Sequence, residues 1–190
     1  MKHDCIAFCM LLGIEMIPGF LTCQPVPWRN LDKGLMMAEV KPDVSSRVGD
    51  SKITILRIDP RYFSFQLMCA SEIGTPRMTA KQWCRGKNLV AAVNAGMFQT
   101  DGYTNVGYMK NFGHINNSRM NNYNSILAFN PVDSTLPGIR MIDRQCNELA
   151  ALKDKYNTLI QNERMIDCHR RNVWTQQKRK WSMVALGVDQ

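Results

Sequence analysis

Between Asn94 and Asn130 the chain carries nine asparagines but only three formal charges, on Asp101, Lys110 and Arg119. A side-chain amide offers donors and acceptors together, which suits the hydroxyls of a sugar. Asparagine also tolerates turn geometry, so a loop-rich stretch holds many of them with nothing to bind. A second cluster is cationic: from Arg164 to Trp181 the bases Arg164, Arg170, Arg171, Lys178, Arg179 and Lys180 are set against Asp167 alone, a net of five of the chain's eight positive charges. Arginine forks grip phosphate with two N–H groups, and Trp174 and Trp181 could stack on bases or sugar rings. The commoner meaning of such a run is a solvated cationic face.

Other reactive groups give less. Asp101, Asp143, Asp167 and Asp189 are carboxylates that could act on a glycosidic bond, but none has a sequence partner that marks an acid/base pair. There is no GxSxG, P-loop, GxGxxG or HExxH, so the common nucleophilic, nucleotide and zinc-protease motifs are missing. Of seven cysteines, Cys5, Cys9 and Cys23 sit in or beside an N-terminal apolar run, leaving Cys69, Cys84, Cys146 and Cys168. In an oxidising compartment these four make two disulfides in one of three connectivities; in a reducing one they are buried thiols. With no CxxC and with His114 far from His169, neither a metal nor a cofactor is expected.

The elements that must position these groups begin after a leader. Lys2 and His3 precede an apolar run from Cys5 to Ile14, interrupted by Glu15 and resumed from Met16 to Leu21. A membrane span needs ~18 or more uninterrupted apolar residues, so residues 1–23 read as a secretory signal peptide. Phe20-Leu21-Thr22-Cys23 faintly resembles a lipobox, which would make Cys23 a lipid anchor and residues 1–23 a lipoprotein leader. The alternative is a buried helix, and no other stretch could cross a bilayer. Either leader implies export, to the periplasm, cell envelope or outside. With 190 residues, 45% hydrophobic and 21% charged, the chain is neither disordered nor fibrous and is long enough for one domain with a real core. Its net charge of +8 suits an anionic partner.

Residues 24–51, with Pro25, Pro27, Gly34, Pro42 and Gly49, read as a linker. Ile53–Ile58 reads as a strand, and Phe63, Phe65, Leu67 and Cys69 alternate with Tyr62, Ser64, Gln66 and Met68 as a second strand hairpinned to it. Thr79 can start a short helix through Ala80 and Cys84. Leu89 to Val93 fits a buried strand, with further short strands near Val106–Met109, Ser125–Phe129, Arg164–Cys168 and Met183–Val188. Leu149, Leu152, Tyr156, Leu159 and Ile160 recur at helical spacing and predict the chain's best helix. The class is α+β: a single domain with a mixed or antiparallel sheet packed by a few helices.

Several strings go further. Cys69-Ala-Ser-Glu72, Ala80-Lys-Gln-Trp-Cys84, Ala92-Val-Asn-Ala-Gly-Met-Phe98, Val106-Gly-Tyr-Met-Lys110, Leu127-Ala-Phe-Asn-Pro131, Ile160-Gln-Asn-Glu-Arg-Met-Ile-Asp-Cys168 and Trp181-Ser-Met-Val-Ala-Leu-Gly-Val-Asp189 occur in this order. Together they resemble the phosphodiester glycosidase family, which includes the enzyme that uncovers mannose 6-phosphate by removing N-acetylglucosamine. The likeness covers residues 52–190 and is closest to bacterial exported members.

The resemblance implies an α+β domain that hydrolyses a sugar joined through phosphate, with no cofactor. It implies Asn94, Arg164 and Ser182 as catalytic residues and Gly96, Met97, Phe98, Gly107, Gln161 and Arg179 as substrate-binding ones. A phosphate leaving group needs little protonation, so Arg164, with Arg179, would stabilise its charge while sugar contacts stabilise an oxocarbenium-like state. Asn94 would hold sugar or water, sharing a pocket with Arg164, and Asp101 and Asp167 are guesses for the group that activates water. With export and the even cysteine count, the matching strings also imply pairing of Cys69 with Cys84 and of Cys146 with Cys168. Family members continue past Gly187-Val-Asp189 with a strand and a helical segment, so the resemblance implies a C-terminal part missing here. The partner expected is a sugar phosphate or phosphodiester-linked glycan, and no nucleic acid. The alternatives are a non-catalytic envelope glycan or sugar-phosphate binding protein, and a nucleic-acid binder using residues 170–181.

Overall fold

The computed structural model describes residues 25–42, 45, 47, 49–147, 149–175 and 183–189. The expected leader over residues 1–23, with Cys23, and Arg179, Trp181 and Ser182 lie outside them. Two compact units follow one another, residues 1–59 and 60–190.

In the first unit, β1 (Arg29–Asp32), β2 (Leu35–Val40) and β3 (Ile53–Ile58) form an antiparallel sheet in that order. β1 and β2 are joined through Lys33-Gly34, with Gly34 at a φ of 78° that glycine adopts without steric cost. Two strands therefore stand where the prolines and glycines read as a linker. β3 has its expected bounds, but its partner is β2, register Val40↔Ile53 to Leu35↔Ile58, and not the segment after Pro60.

That segment, residues 63–69, keeps its alternation in burial, yet belongs to no strand. Its inward side chains Phe65, Leu67 and Cys69 pack into the core of the second unit instead. Two short helices follow, α1 (Ala70–Ile73) and α2 (Ala80–Lys87). α2 begins where expected because Thr79 and Gln82 form a reciprocal capping box, and it ends at Asn88 in the left-handed region.

The second unit is built on a five-stranded antiparallel sheet of β4 (Met109–Asn111), β5 (His114–Asn117), β6 (Ser125–Pro131), β7 (Ile139–Asp143) and β8 (Tyr156–Asn162), in the order β5-β4-β8-β6-β7. These antiparallel sheets with a few short helices are the expected α+β class. One face carries Leu67, Cys69, Met109, Phe129 and Ile160, with Phe65 edge-on to Phe129 at 6.3 Å between ring centroids. The other carries Ile126, Ala128, Ile142, Tyr156 and Leu159, covered by Leu149 and Leu152. Ile126, Ile142 and Leu159 are wholly buried, each contributing about 1.5–3 kcal/mol by leaving water.

The long helix expected over 149–160 is corrected to one turn, α3 (Leu149–Leu152), a 3-10 turn (Lys153–Lys155) and then β8. β8 lies between β4 and β6 and is covered on both faces. Its apolar residues Tyr156, Leu159 and Ile160 fall at intervals that, continued from Leu149 and Leu152, also satisfy helical spacing. Tyr156, Thr158 and Ile160 are strand-favouring side chains, and pairing on both sides decides the matter. Residues 89–93 form no strand either: Val90 and Val93 are 63% and 45% exposed. Arg164–Cys168 and Met183–Val188 are likewise not strands; the former holds only an isolated bridge, Ile166 to Asn172.

Candidate functional site

The C-terminal end of β8 organises the candidate site. Gln161 is 1% exposed and its amide is fully used. Its Oε1 accepts from the Tyr108 N–H at 2.9 Å and the Asn121 N–H at 3.2 Å, while its Nε2 donates to the carbonyls of Asn121 at 3.1 Å and Tyr123 at 2.7 Å. Arg144 Nη1 donates to the same two carbonyls at 2.7 and 2.8 Å. Two side chains thereby fix the loop at 121–124.

Three residues on, the Arg164 Nη1 donates to both carboxylate oxygens of Asp143, at 2.6 and 2.7 Å, and its Nη2 to Gln145 Oε1 at 2.8 Å. Both members of this pair are largely buried, with side chains 12% and 11% exposed. Arg164 Nε is buried and finds no acceptor among the described residues. Asp143 also accepts from the N–H groups of Gln145 and Cys168, both at 3.0 Å. Burial pushes its carboxyl up, but the Arg164 donors and these two N–H groups outweigh that and hold it below the ordinary carboxylate range.

Against Arg164 lies an open pocket of about 310 Å³, lined also by Asn122, Tyr123, Asn124, Glu163, Trp174 and Thr175. Burial first, then the adjacent Glu163 carboxylate, raise the pKa of the Tyr123 phenol. The pocket combines amides, a carboxylate, a guanidinium and an indole, the groups that meet sugar hydroxyls, phosphate oxygens and the apolar face of a sugar ring.

Asn94 is not among its lining residues; it is exposed on the irregular segment before Gly96. That segment is tied to β8 one residue later, where Asn162 Nδ2 donates to the Ala95 carbonyl at 3.2 Å. Met97 and Phe98 are 43% and 59% exposed. The two motif glycines have a packing role. A Cβ on Gly96 would overlap the Asn105 amide oxygen, and one on Gly107 would stand 3.0 Å from Gln161 Oε1. Asn105, 2% exposed, accepts at its carbonyl from Asn117 and Gln99 and donates from its amide to the Gly107 carbonyl. Glycine at 96 and 107 thus lets two buried amides approach the backbone closely.

Asp101 and Asp167 are both engaged locally. Asp101 closes a turn by accepting from the Thr104 hydroxyl and from the N–H groups of Tyr103 and Thr104, which lower its pKa, the Thr104 hydroxyl contributing most. Asp167 accepts from the Arg171 and His169 N–H groups and pairs with the Arg171 guanidinium. The Arg171 N–H leads in holding its pKa down at about 2.

Cys146 and Cys168 form a disulfide with Cα atoms 6.3 Å apart, one of the two implied pairs. The other is corrected: Cys69 and Cys84 are free. Cys69 is buried with its Sγ 3.9 Å from Met109 Sδ in the sheet core, while Cys84 sits on α2. Burial, then the Glu72 charge, push the Cys69 thiol up to about 11. The donor atoms of Cys146, Cys168 and His169 lie within 4.8 Å of one another, but the joined sulfurs offer no thiolates to a cation.

The asparagine-rich stretch divides between its two meanings. Asn105, Asn111, Asn116, Asn117 and Asn121 serve the backbone and neighbouring side chains, whereas Asn122 and Asn124 line the pocket. The residues that sequence reasoning missed are these two, Tyr123, Glu163 and Gln145. Their signals were the Asn121-Asn122-Tyr123-Asn124 run and the place of Glu163 beside Arg164. No family model, curated protein or solved structure matches the chain. Among the described residues, no helix is long and apolar enough to cross a membrane.

Proposed function

We propose that this protein is a phosphodiester glycosidase: it hydrolyses the bond between a sugar and a phosphodiester, using the pocket beside Arg164. The observation that carries the reading is that Arg164, Asn122, Asn124, Glu163 and Trp174 line one open pocket of about 310 Å³, the size of site that a small ligand fills. Water replaces the phosphate at the anomeric carbon, the sugar leaves with the new hydroxyl, and the phosphate departs on its own oxygen. In this scheme Asn122 and Asn124 hold sugar hydroxyls, Trp174 covers the ring, and Arg164 stabilises charge gathering on the leaving phosphate. Glu163 is the carboxylate at hand to take a proton from the attacking water. Asn94, Met97 and Phe98 would meet the substrate from the neighbouring loop. Export to the periplasm, envelope or outside belongs to the same reading, and a disulfide suits such an oxidising compartment.

A specific observation favours a second reading, a non-catalytic binding protein for the same ligands. The Arg164 charge is matched by Asp143, so a phosphate would meet an ion pair in place of a bare cation. Incubation with UDP-N-acetylglucosamine and simpler sugar phosphodiesters separates the two. Free sugar supports hydrolysis, saturable binding without free sugar supports the binder, and neither result removes both.

A further inference from the structure

We infer that Asp143 is the positioning residue for Arg164 and that the exposed Cys146–Cys168 disulfide holds Asp143 to that task, making the pocket redox-sensitive. This rests on reading the Arg164 pocket as the substrate site. Asp143 is the last residue of β7, an edge strand whose one sheet partner among the described residues is β6. Beyond it the chain turns, with the Cys146 N–H donating to the Asp143 carbonyl at 3.0 Å. From the other side the Cys168 N–H donates to Asp143 Oδ2 at 3.0 Å. The two cysteines thus hold the backbone and the carboxylate of one aspartate, and their sulfurs are joined across a separation of 22 residues.

The Asp143 backbone is also held by its register with Ser125 in β6 and by the Asn147 N–H on its carbonyl at 2.8 Å, but among the described residues the 163–168 side of the link belongs to no strand. Both cysteines are exposed, so a dithiol reductant can reach the bond. Its thiolate attacks one sulfur, the S–S bond breaks to a mixed disulfide, and its second thiol then displaces the protein. Two electrons and two protons pass to Cys146 and Cys168, and the reductant leaves as its own disulfide. The Cys168 N–H is then free to leave Asp143 Oδ2; the carboxylate keeps the Gln145 N–H on Oδ1 but loses the donor that fixes its second oxygen, and Arg164 is held less tightly beside the pocket.

Arginine footprinting with phenylglyoxal, read residue by residue by mass spectrometry, tests this without any substrate. In the oxidised protein Arg164, its side chain 12% exposed, should be protected. After dithiothreitol its modification rate is expected to rise about fivefold or more, the scale of losing one ordinary ion pair. Arg144, held on two carbonyls in the same unit, should not change. Asp143→Asn should expose Arg164 with the disulfide intact and leave reduction with nothing to add, and Asp143→Glu should restore protection. The inference is overturned if reduction leaves Arg164 unchanged, or if Arg144 rises in step with it, which is general unfolding. Should Asp143→Asn not fold, the oxidised and reduced wild-type footprints still decide. A protein that hydrolyses nothing but shows the selective footprint loses only the proposed activity; one that hydrolyses with an unresponsive footprint loses only this inference.

Discussion

Replacing Gln161 with leucine keeps the side chain's bulk and removes its amide from the centre of the sheet. The Tyr108 and Asn121 N–H groups then lose the Oε1 that accepts from both. Each buried donor left without an acceptor costs ~1–3 kcal/mol, so the pair costs about 4 kcal/mol. The Asn121 and Tyr123 carbonyls suffer less, because Arg144 still donates to each. A loss near 4 kcal/mol is a large share of the ~5–15 kcal/mol by which domains are stable. In a unit of this size it lowers the melting temperature by roughly 12–16 °C. Urea unfolding followed by circular dichroism reads the difference as a shift in midpoint at unchanged slope. A loss under about 1 kcal/mol would refute the reasoning, since it would mean that the amide is not what fixes the loop at 121–124.

Three other outcomes follow from the same geometry. Gly96→Ala should destabilise by about 1–3 kcal/mol, because the new methyl overlaps an Asn105 side chain that is itself buried and bonded; an unchanged urea midpoint would contradict it. Asp167 has its pKa lowered to about 2 from an ordinary 3.8, so its stabilisation is complete above about pH 4 and is lost as pH falls through 2. The fall in stability between pH 4 and 2 should accordingly be shallower in Asp167→Asn, and equal slopes would discard the assignment. At pH 8, per-residue mass spectrometry should find Cys84 labelled by a thiol reagent long before Cys69, whose buried thiol sits at about 11; equal labelling would mean that the Cys69 core opens readily.

Legibility in the sequence varied with how local the deciding forces are. Ile53–Ile58 and the start of α2 were readable because a short run rich in β-branched residues and a Thr79–Gln82 capping box act within a few residues. β8 was not, because Tyr156, Leu159 and Ile160 continue the helical spacing of Leu149 and Leu152, and only the pairing with β4 and β6 makes the segment a strand. The β1–β2 hairpin hid in a stretch whose prolines and glycines read as a linker, although Lys33-Gly34 is a turn between two strands. At the site, Arg164 and Gln161 were found from the quoted strings, but not what they touch. The Asp143 partner lies 21 positions away, and Gln161 reaches Tyr108 53 positions back, distances at which spacing carries no signal. The two cysteine pairs parted for a similar reason: Cys69 points into the sheet core, while Cys146 and Cys168 meet at the exposed edge beyond β7.

The central claim is that Arg164 acts on the leaving phosphate, and steady-state kinetics of Arg164→Ala on a hydrolysed sugar phosphodiester tests it most directly. Loss of an electrostatic transition-state donor should lower kcat by about 100-fold or more while the fold, checked by circular dichroism, survives. A KM that rises at constant kcat would reduce Arg164 to holding the substrate. Rates equal to those of the unaltered protein in both kcat and KM would contradict the account, leaving the Arg164–Asp143 pair as part of the scaffold alone.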